Sequence, residues 1–462
     1  MHNALEQHKL KIGNLHDILR TLPIFGGILM ANYRNIANKK FIKMPDFDKL
    51  FFPNFNENVY KVVPTLLEFL GLNMDMHQTL IEMDTYSEIF HANDCFNADI
   101  IVNFIVDAFG LDALTQSNFL RKIFDTTSGA ILSTIYPPLT VPAITSIMRG
   151  APIEKHGIVS NIFYLREIGS MVNAIYGNRY FSKCKDELFH EGHNPKQFNW
   201  AVDPFEKLID IGGVHKFILY DDIASIGLFK FFVNEEDFIG IYSMIDRFSQ
   251  LLRVIKYYQG KKLFVNVYFG IIDYLGHRYT YNSFEVREAI SLIEKWLQWF
   301  IDNIPSNLAK RTVISLIADH GHNVLNKKLE ILLTRDEYNS LMKNLRTIPS
   351  KNERFWAFYV KEGKIDAVRR MLEEKIGELG LVFDFNFLKE HLLSEKNEHI
   401  TEVRSRFGDL FISFIDGAYM KVERKSPTHS SKYNIPKVAD HGSLTIDELA
   451  VPFFATNLAL LK

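Results

Sequence analysis

From Ile100 onward the chain is punctuated by short, nearly continuous apolar runs, each closing on a polar residue. IIVNFIV (100–106) runs into Asp107, AILSTIYPPL (130–139) into Thr140, KLFVNVYFGII (262–272) into Asp273, and TVISLIA (312–318) into Asp319. Apolar runs without polar alternation are what strands look like when both faces of a sheet are covered. Helical spacing follows at Leu114–Phe124, Pro142–Met148 and Phe284–Ile304. Strands alternating with helices predict an α/β fold with a mostly parallel central sheet flanked by helices.

The rhythm is different elsewhere. Residues 1–98 alternate helical-looking runs, such as NVYKVVPTLLEFLGL (58–72), with polar joints, and are expected to form a mainly helical region packed on the core. Residues 99–462 read as one α/β domain, with insertions at about 161–212 and 327–436. The first insertion is irregular. The second reads as α+β, with strands at RFWAFYV and GDLFISFI and a helix in KIDAVRRMLEEKIGEL that ends near Gly380.

Composition narrows the class. The chain has 462 residues, 47 % of them apolar, enough for a large core. Lys plus Arg (53) nearly balances Asp plus Glu (55), which argues against stable nucleic-acid or anionic-membrane binding. Cys95 and Cys184 form no metal or disulfide pattern. LPIFGGILM is too short to span a bilayer, and the first residues lack a signal-peptide pattern, so a soluble, cytoplasmic protein is expected.

The polar tips carry the chemistry. Ligands of open α/β sheets bind beyond the carboxyl ends of the strands. Asp107, Thr140, Asp273 and Asp319 would gather there, and carboxylates so close repel unless a cation sits between them. Imidazoles accompany them: His277 four residues after Asp273, His320 beside Asp319, and His441 in a second Ala-Asp-His-Gly at 439–442. Asp107, Thr140, Asp273, His277, Asp319, His320 and His441 would serve two divalent ions. Each motif taken alone has a structural reading. An Asp at a strand end caps a turn, an Asp and His four apart pair on a helix, and a Thr near Pro142 caps a helix. Thr140 at a helix N-terminus can instead hold a metal through its oxygen and act as a nucleophile. HEGH (190–193) lacks the HExxH spacing and reads as loop. Ser133, Thr134, Thr145 and Ser146 fall inside the strand or the helix and read as packing or back-bonding hydroxyls.

NFIVDAFG, STIYPPLTVPAITSIMRGAPIEKHGI, VYFGIIDYLGH, LIADHGH and VADHGSLTIDELAVPFF stand in an order that resembles the alkaline phosphatase superfamily. The similarity is to its type I phosphodiesterase/nucleotide pyrophosphatase branch, archaeal-type members in particular, and RSRFGDLFISF (404–414) adds to it. The resemblance implies an alkaline phosphatase-like fold and a hydrolase with two divalent ions, zinc first, with manganese or magnesium as alternatives. It implies Asp107, Thr140, Asp319 and His320 around one ion, Asp273, His277 and His441 around the other, and Thr140 as a nucleophile forming a phospho-threonine. Asp440 would orient the second set. The implied substrate is a small phosphate ester of nucleotide type, cleaved at a phosphodiester or pyrophosphate bond. The alternatives are a phosphomonoesterase, or a non-catalytic relative whose second insertion binds a partner. Eukaryotic-type members carry Thr-Phe-Pro-Asn at the nucleophile, whereas Ala143 stands in the Asn place here. The backbone amides of the helix, or Arg149, would then hold the phosphate. The Cys/Ser-x-Pro-x-Arg pattern of sulfatases is missing from TVPAI.

Overall fold

The computed structural model describes residues 23–224, 226–394, 399–423 and 436–462. The N-terminal stretch 1–22 and residues 424–435 of the second insertion lie outside the described residues.

The central sheet has seven strands: β1 Ile100–Val106, β2 Ala130–Ser133, β3 Val214–Tyr220, β4 Phe238–Ile241, β5 Leu263–Phe269, β6 Thr312–Ile317 and β7 Ala450–Asn457. Their order is β2-β7-β6-β1-β5-β3-β4, and β7 alone runs antiparallel to its neighbours. Every residue of β1, β5, β6 and β7 is buried, which explains their unbroken apolar runs. Three of the polar exceptions, with His215 of β3, form one ladder across the strands. Ser315 donates to Asn103 Oδ1 (2.9 Å), Asn103 Nδ2 to Asn266 Oδ1 (2.9 Å), and Asn266 Nδ2 to His215 Nε2 (3.0 Å). Registers that place Asn103 opposite both Asn266 and Ser315 make this ladder possible.

Three helices position the site: α1 Thr140–Arg149, α2 Ile271–Tyr279 and α3 Phe284–Asn303. The last is amphipathic, burying Val286, Ile290, Ile293, Leu297 and Ile301 on one face, with Ser283 Oγ accepting from Val286 N at its start. Three readings of the sequence need correction, the first being the run up to Thr140, which is a strand only as far as Ser133 and leaves Thr134 outside it. The run expected to be a strand up to Asp273 ends at Phe269, and Ile271–Asp273 already belong to α2. Periodicity cannot separate a buried strand from the first turn of a buried helix. The helix expected over Leu114–Phe124 is two, Leu111–Gln116 and Phe119–Thr126. Glu294 on α3 causes the break. Its Oε1 accepts from Ser117 Oγ and from the N–H groups of Asn118, Phe119 and Leu120 (2.6–2.9 Å), capping the second helix from a distant part of the chain.

Residues 33–98 pack on the same core as the sheet, through Val63, Leu66, Leu67 and Phe69 among others. In the first insertion, expected to be irregular, the structure has a three-stranded sheet from strands 162–165, 170–173 and 178–179. The second insertion forms a four-stranded antiparallel sheet from 350–351, 355–358, 410–414 and 380–384. Side chains alternate across it. Phe355, Ala357 and Phe411 join the main core, whereas Trp356, Phe358, Leu410, Ile412 and Phe414 face a second core with Leu372 and Ile376 of the helix Ile365–Ile376. That helix ends four residues before the expected Gly380, where Gly377 adopts a positive φ of 54°. No described helix is long and apolar enough to cross a membrane.

Candidate metal centre and nucleophile

Asp107 follows the last residue of β1, and its N–H extends the ladder to Phe269 O (3.0 Å). The Tyr268 hydroxyl donates to Asp107 Oδ2, while Asp107 Oδ1 is buried without a hydrogen-bond partner. Asp319, just past β6, accepts from the N–H groups of Ala108 and His320 at Oδ1 (both 3.0 Å), and its Oδ2 is likewise buried and unpartnered. Both free oxygens point toward one imidazole nitrogen. His320 Nε2 lies 3.6 Å from Asp107 Oδ1, 3.3 Å from Asp319 Oδ2 and 3.2 Å from Thr140 Oγ1. Burial raises the pKa of both carboxyls, and Asp107 is pushed well up, further raised by the charges of Asp319 and Asp273. Two orphaned carboxylate oxygens in a buried pocket mark a place for a cation.

A second set adjoins the first. Asp273 sits in the first turn of α2 and His277 one turn later, so both project from the same face. Around Asp273 Oδ1 stand His277 Nε2 (3.3 Å), His322 Nε2 (2.8 Å) and His441 Nε2 (3.6 Å). Burial alone would raise the Asp273 pKa, but His277, His322 and His441 hold it well below the usual carboxylate range. Burial also lowers the pKa of His322, to about 4. The tautomers suit metal binding. His277 Nδ1 donates to Ala439 O (2.8 Å), His441 Nδ1 to Pro138 O (2.8 Å), and His320 Nδ1 contacts Gly321 O (3.2 Å), leaving each Nε2 lone pair facing inward. The rings of His320 and His441 stack at 3.6 Å between centroids and so join the sets. Ligand atoms of Asp107, Asp319 and His320 lie within 4.8 Å of one another, as do those of Asp273, His277, His322 and His441. Mixed imidazole and carboxylate donors suit zinc and its neighbours better than magnesium, which takes oxygen.

A family model described as type I phosphodiesterase/nucleotide pyrophosphatase matches residues 101–444. The chain belongs to the type I phosphodiesterase/nucleotide pyrophosphatase family. It is therefore a hydrolase of the alkaline phosphatase superfamily that acts on phosphoesters. No curated protein sequence matches it. Among solved structures it resembles murine ectonucleotide pyrophosphatase/phosphodiesterase 5, with TM-score 0.54 and 17 % identity over 77 % of this chain and 87 % of that one. The human counterpart gives TM-score 0.54 and 18 % identity over the same shares. Phosphonoacetate hydrolase from Sinorhizobium meliloti 1021 gives TM-score 0.55 and 15 % identity over 78 % of this chain and 90 % of that one. At these identities the likeness concerns the fold.

Both Asp-His-Gly copies of this phosphodiesterase-family chain deliver a histidine to the centre, and their glycines answer to packing. A Cβ on Gly321 would lie 2.0 Å from Asp447 O. Gly442 has φ +126°, and a Cβ there would lie 2.7 Å from Phe355 Cβ. Asp440 sits behind the second set, accepting from His441 N (3.0 Å) and lying 3.6 Å from His277 Nδ1. The second insertion grips this loop. Asn352 Nδ2 donates to His441 O (2.6 Å), Glu353 N to Asp440 Oδ2 (3.1 Å), and Arg354 pairs with Glu448 (2.8 Å).

Thr140 is the first residue of α1, half-buried, and Leu139 at the cap position offers no side-chain hydrogen bond. The expected cradle of helix amides is reduced. Val141 N donates to Asn161 Oδ1 (3.0 Å), Pro142 has no N–H, and Ala143 N bonds Leu139 O (3.0 Å). Arg149 is no phosphate ligand. It lies at the far end of α1, buried, with Nη1 2.5 Å from Asp203 and Nη2 donating to Phe231 O. Ala143 is fully buried in the core. Asn161 instead reaches the first turn of α1, from twenty residues downstream of Val141, whose N–H donates to it. Sequence reasoning missed Asn161, Tyr268 and His322. Of these only His322 carried a visible signal, as the second histidine of DHGH. The HEGH segment stays outside, with Glu191 paired to Arg179 at 2.8 Å.

Proposed function

We propose that this chain hydrolyses phosphodiester or pyrophosphate bonds of nucleotide-type substrates through a phospho-threonine at Thr140. The observation that carries the reading is the convergence of Thr140 Oγ1 with two unpartnered buried carboxylate oxygens, Asp107 Oδ1 and Asp319 Oδ2, on His320 Nε2. Asp107, Thr140, Asp319 and His320 would hold one divalent ion, and Asp273, His277 and His441 the other. Bound there, the ions supply a lowered hydroxyl pKa at Thr140 and positive charge for the phosphoryl oxygens. Thr140 Oγ1 forms a bond to phosphorus as the bond to the leaving oxygen breaks. Water then attacks the phospho-threonine, and the threonine hydroxyl is restored as the phosphate monoester leaves. Asn161 positions the phosphoryl group: its Oδ1 is committed to Val141 N–H, so its NH₂ is the group available to a phosphoryl oxygen. No free guanidinium adjoins Thr140 from Arg149, as a dianionic monoester would favour, and this supports diesters.

Two fold neighbours support a small phosphate-like ligand. An inactive variant of the murine enzyme is in complex with AMP, and the hydrolase from Sinorhizobium meliloti is in complex with phosphonoformate. The test is Thr140→Ala assayed on bis-nitrophenyl phosphate and nucleoside triphosphates. Turnover is expected to disappear while divalent-ion content is largely retained. Substantial activity in that variant contradicts the assignment.

A further inference from the structure

We propose that His322 Nε2 is a fourth protein ligand to the ion held by Asp273, His277 and His441, and that it sets which metals this position accepts. The assignment rests on the two-ion reading above. Ligand atoms of a tetrahedral ion at 2.0–2.1 Å stand about 3.3 Å apart. Around Asp273 Oδ1 the three imidazole Nε2 atoms lie at 2.8, 3.3 and 3.6 Å, and His322 belongs to that shell as closely as the other two. Its ring centroid is 4.7 Å from that of His277 and 5.4 Å from that of His441, which places it within the same fan of imidazoles.

The approach of His322 is built into α2. A Cβ on Gly276 would lie 2.3 Å from His322 Nδ1 and 2.6 Å from its Cε1. The glycine of DYLGH thus leaves the space that the second histidine of DHGH fills, and the helix backbone fixes the ring with Nε2 toward Asp273. His322 is 5 % exposed, so its ring is largely shielded from bulk water. A simple hydrogen bond to Asp273 would instead place an N–H inside a ring of lone pairs.

With His322 the second ion has one carboxylate and three imidazoles. Four protein donors fill a tetrahedral ion, so substrate or water needs a fifth position. Ions that readily take five or six ligands, such as manganese, cobalt or ferrous iron, then suit the site better than four-coordinate zinc.

The test titrates the metal-free full chain with Co²⁺ and follows affinity together with the contact-shifted imidazole N–H signals in the NMR spectrum. Wild type is expected to show shifted signals from His277, His320, His322 and His441. His322→Ala and His322→Gln are both expected to lose one signal and to weaken the second equivalent of Co²⁺ by at least about tenfold, leaving the first unchanged. Gln retains an N–H that can donate to Asp273 but is a poor metal ligand. A Gln variant with wild-type affinity, or a wild type whose His322 signal is unshifted, overturns the assignment while leaving two bound ions intact. A chain that binds no Co²⁺ overturns both this assignment and the two-ion reading.

Discussion

Replacing Arg354 with leucine is expected to cost about 3–5 kcal/mol of stability, the usual consequence of stripping one partner from a buried ion pair. Arg354 and Glu448 are both fully buried at their side chains. Arg354 Nε and Nη2 each donate to a Glu448 oxygen at 2.8 Å, Nη1 donates to Ala418 O (2.6 Å) and Ile415 O (3.2 Å), and Nη2 also reaches Phe414 O (3.2 Å). Leucine leaves Glu448 charged in an apolar interior with only Ser443 N and the Thr445 hydroxyl as donors, and strips three carbonyls of a partner. The double replacement Arg354→Met with Glu448→Leu removes both charges and should recover part of the loss. Urea unfolding followed by fluorescence measures both, because Trp356 lies fully buried in the insertion core two residues away. A loss below about 1 kcal/mol for the single variant would refute the reasoning, since an exposed pair contributes no more than that.

Tyr268→Phe removes the hydroxyl that fixes Asp107 Oδ2 and should weaken ion binding at the Asp107 set by about 10–100-fold, measured by competition with a chelator. Gly276→Ala should mimic His322→Ala in a metal titration, since the new Cβ would strike the His322 ring; an unchanged second affinity would contradict this. Acid stability should carry a histidine signature. Burial depresses His215 to about 4 and His156 to about 3, so both bind fewer protons folded than unfolded. Their contribution is complete above about pH 6.5 and is lost as pH falls toward the folded values, by up to about 1.4 kcal/mol per pH unit for each. His215→Gln should flatten that slope between about pH 6.5 and 4 in urea titrations.

The strands of the central sheet were legible because burial on both faces writes an unbroken apolar run, as in IIVNFIV and TVISLIA. The residues closing those runs could be grouped because a parallel sheet brings strand ends to one edge. What could not be read depended on contacts far along the chain. Glu294 splits a helix some 170 residues away, and Arg149 looked free but lies against Asp203. Asn161 reaches α1 from a loop that sequence spacing left irregular, and Ala143 drew attention to the wrong side of the first turn. His322 stood in plain view in DHGH, but its role depends on the space beside Gly276, which only the packing of α2 against that loop shows.

The most direct measurement is an anomalous-scattering map of crystals grown with a divalent transition metal. The account predicts two peaks about 4 Å apart, one among Asp107, Thr140, Asp319 and His320 and one among Asp273, His277 and His441. A single peak, or metal bound away from these side chains, would contradict it.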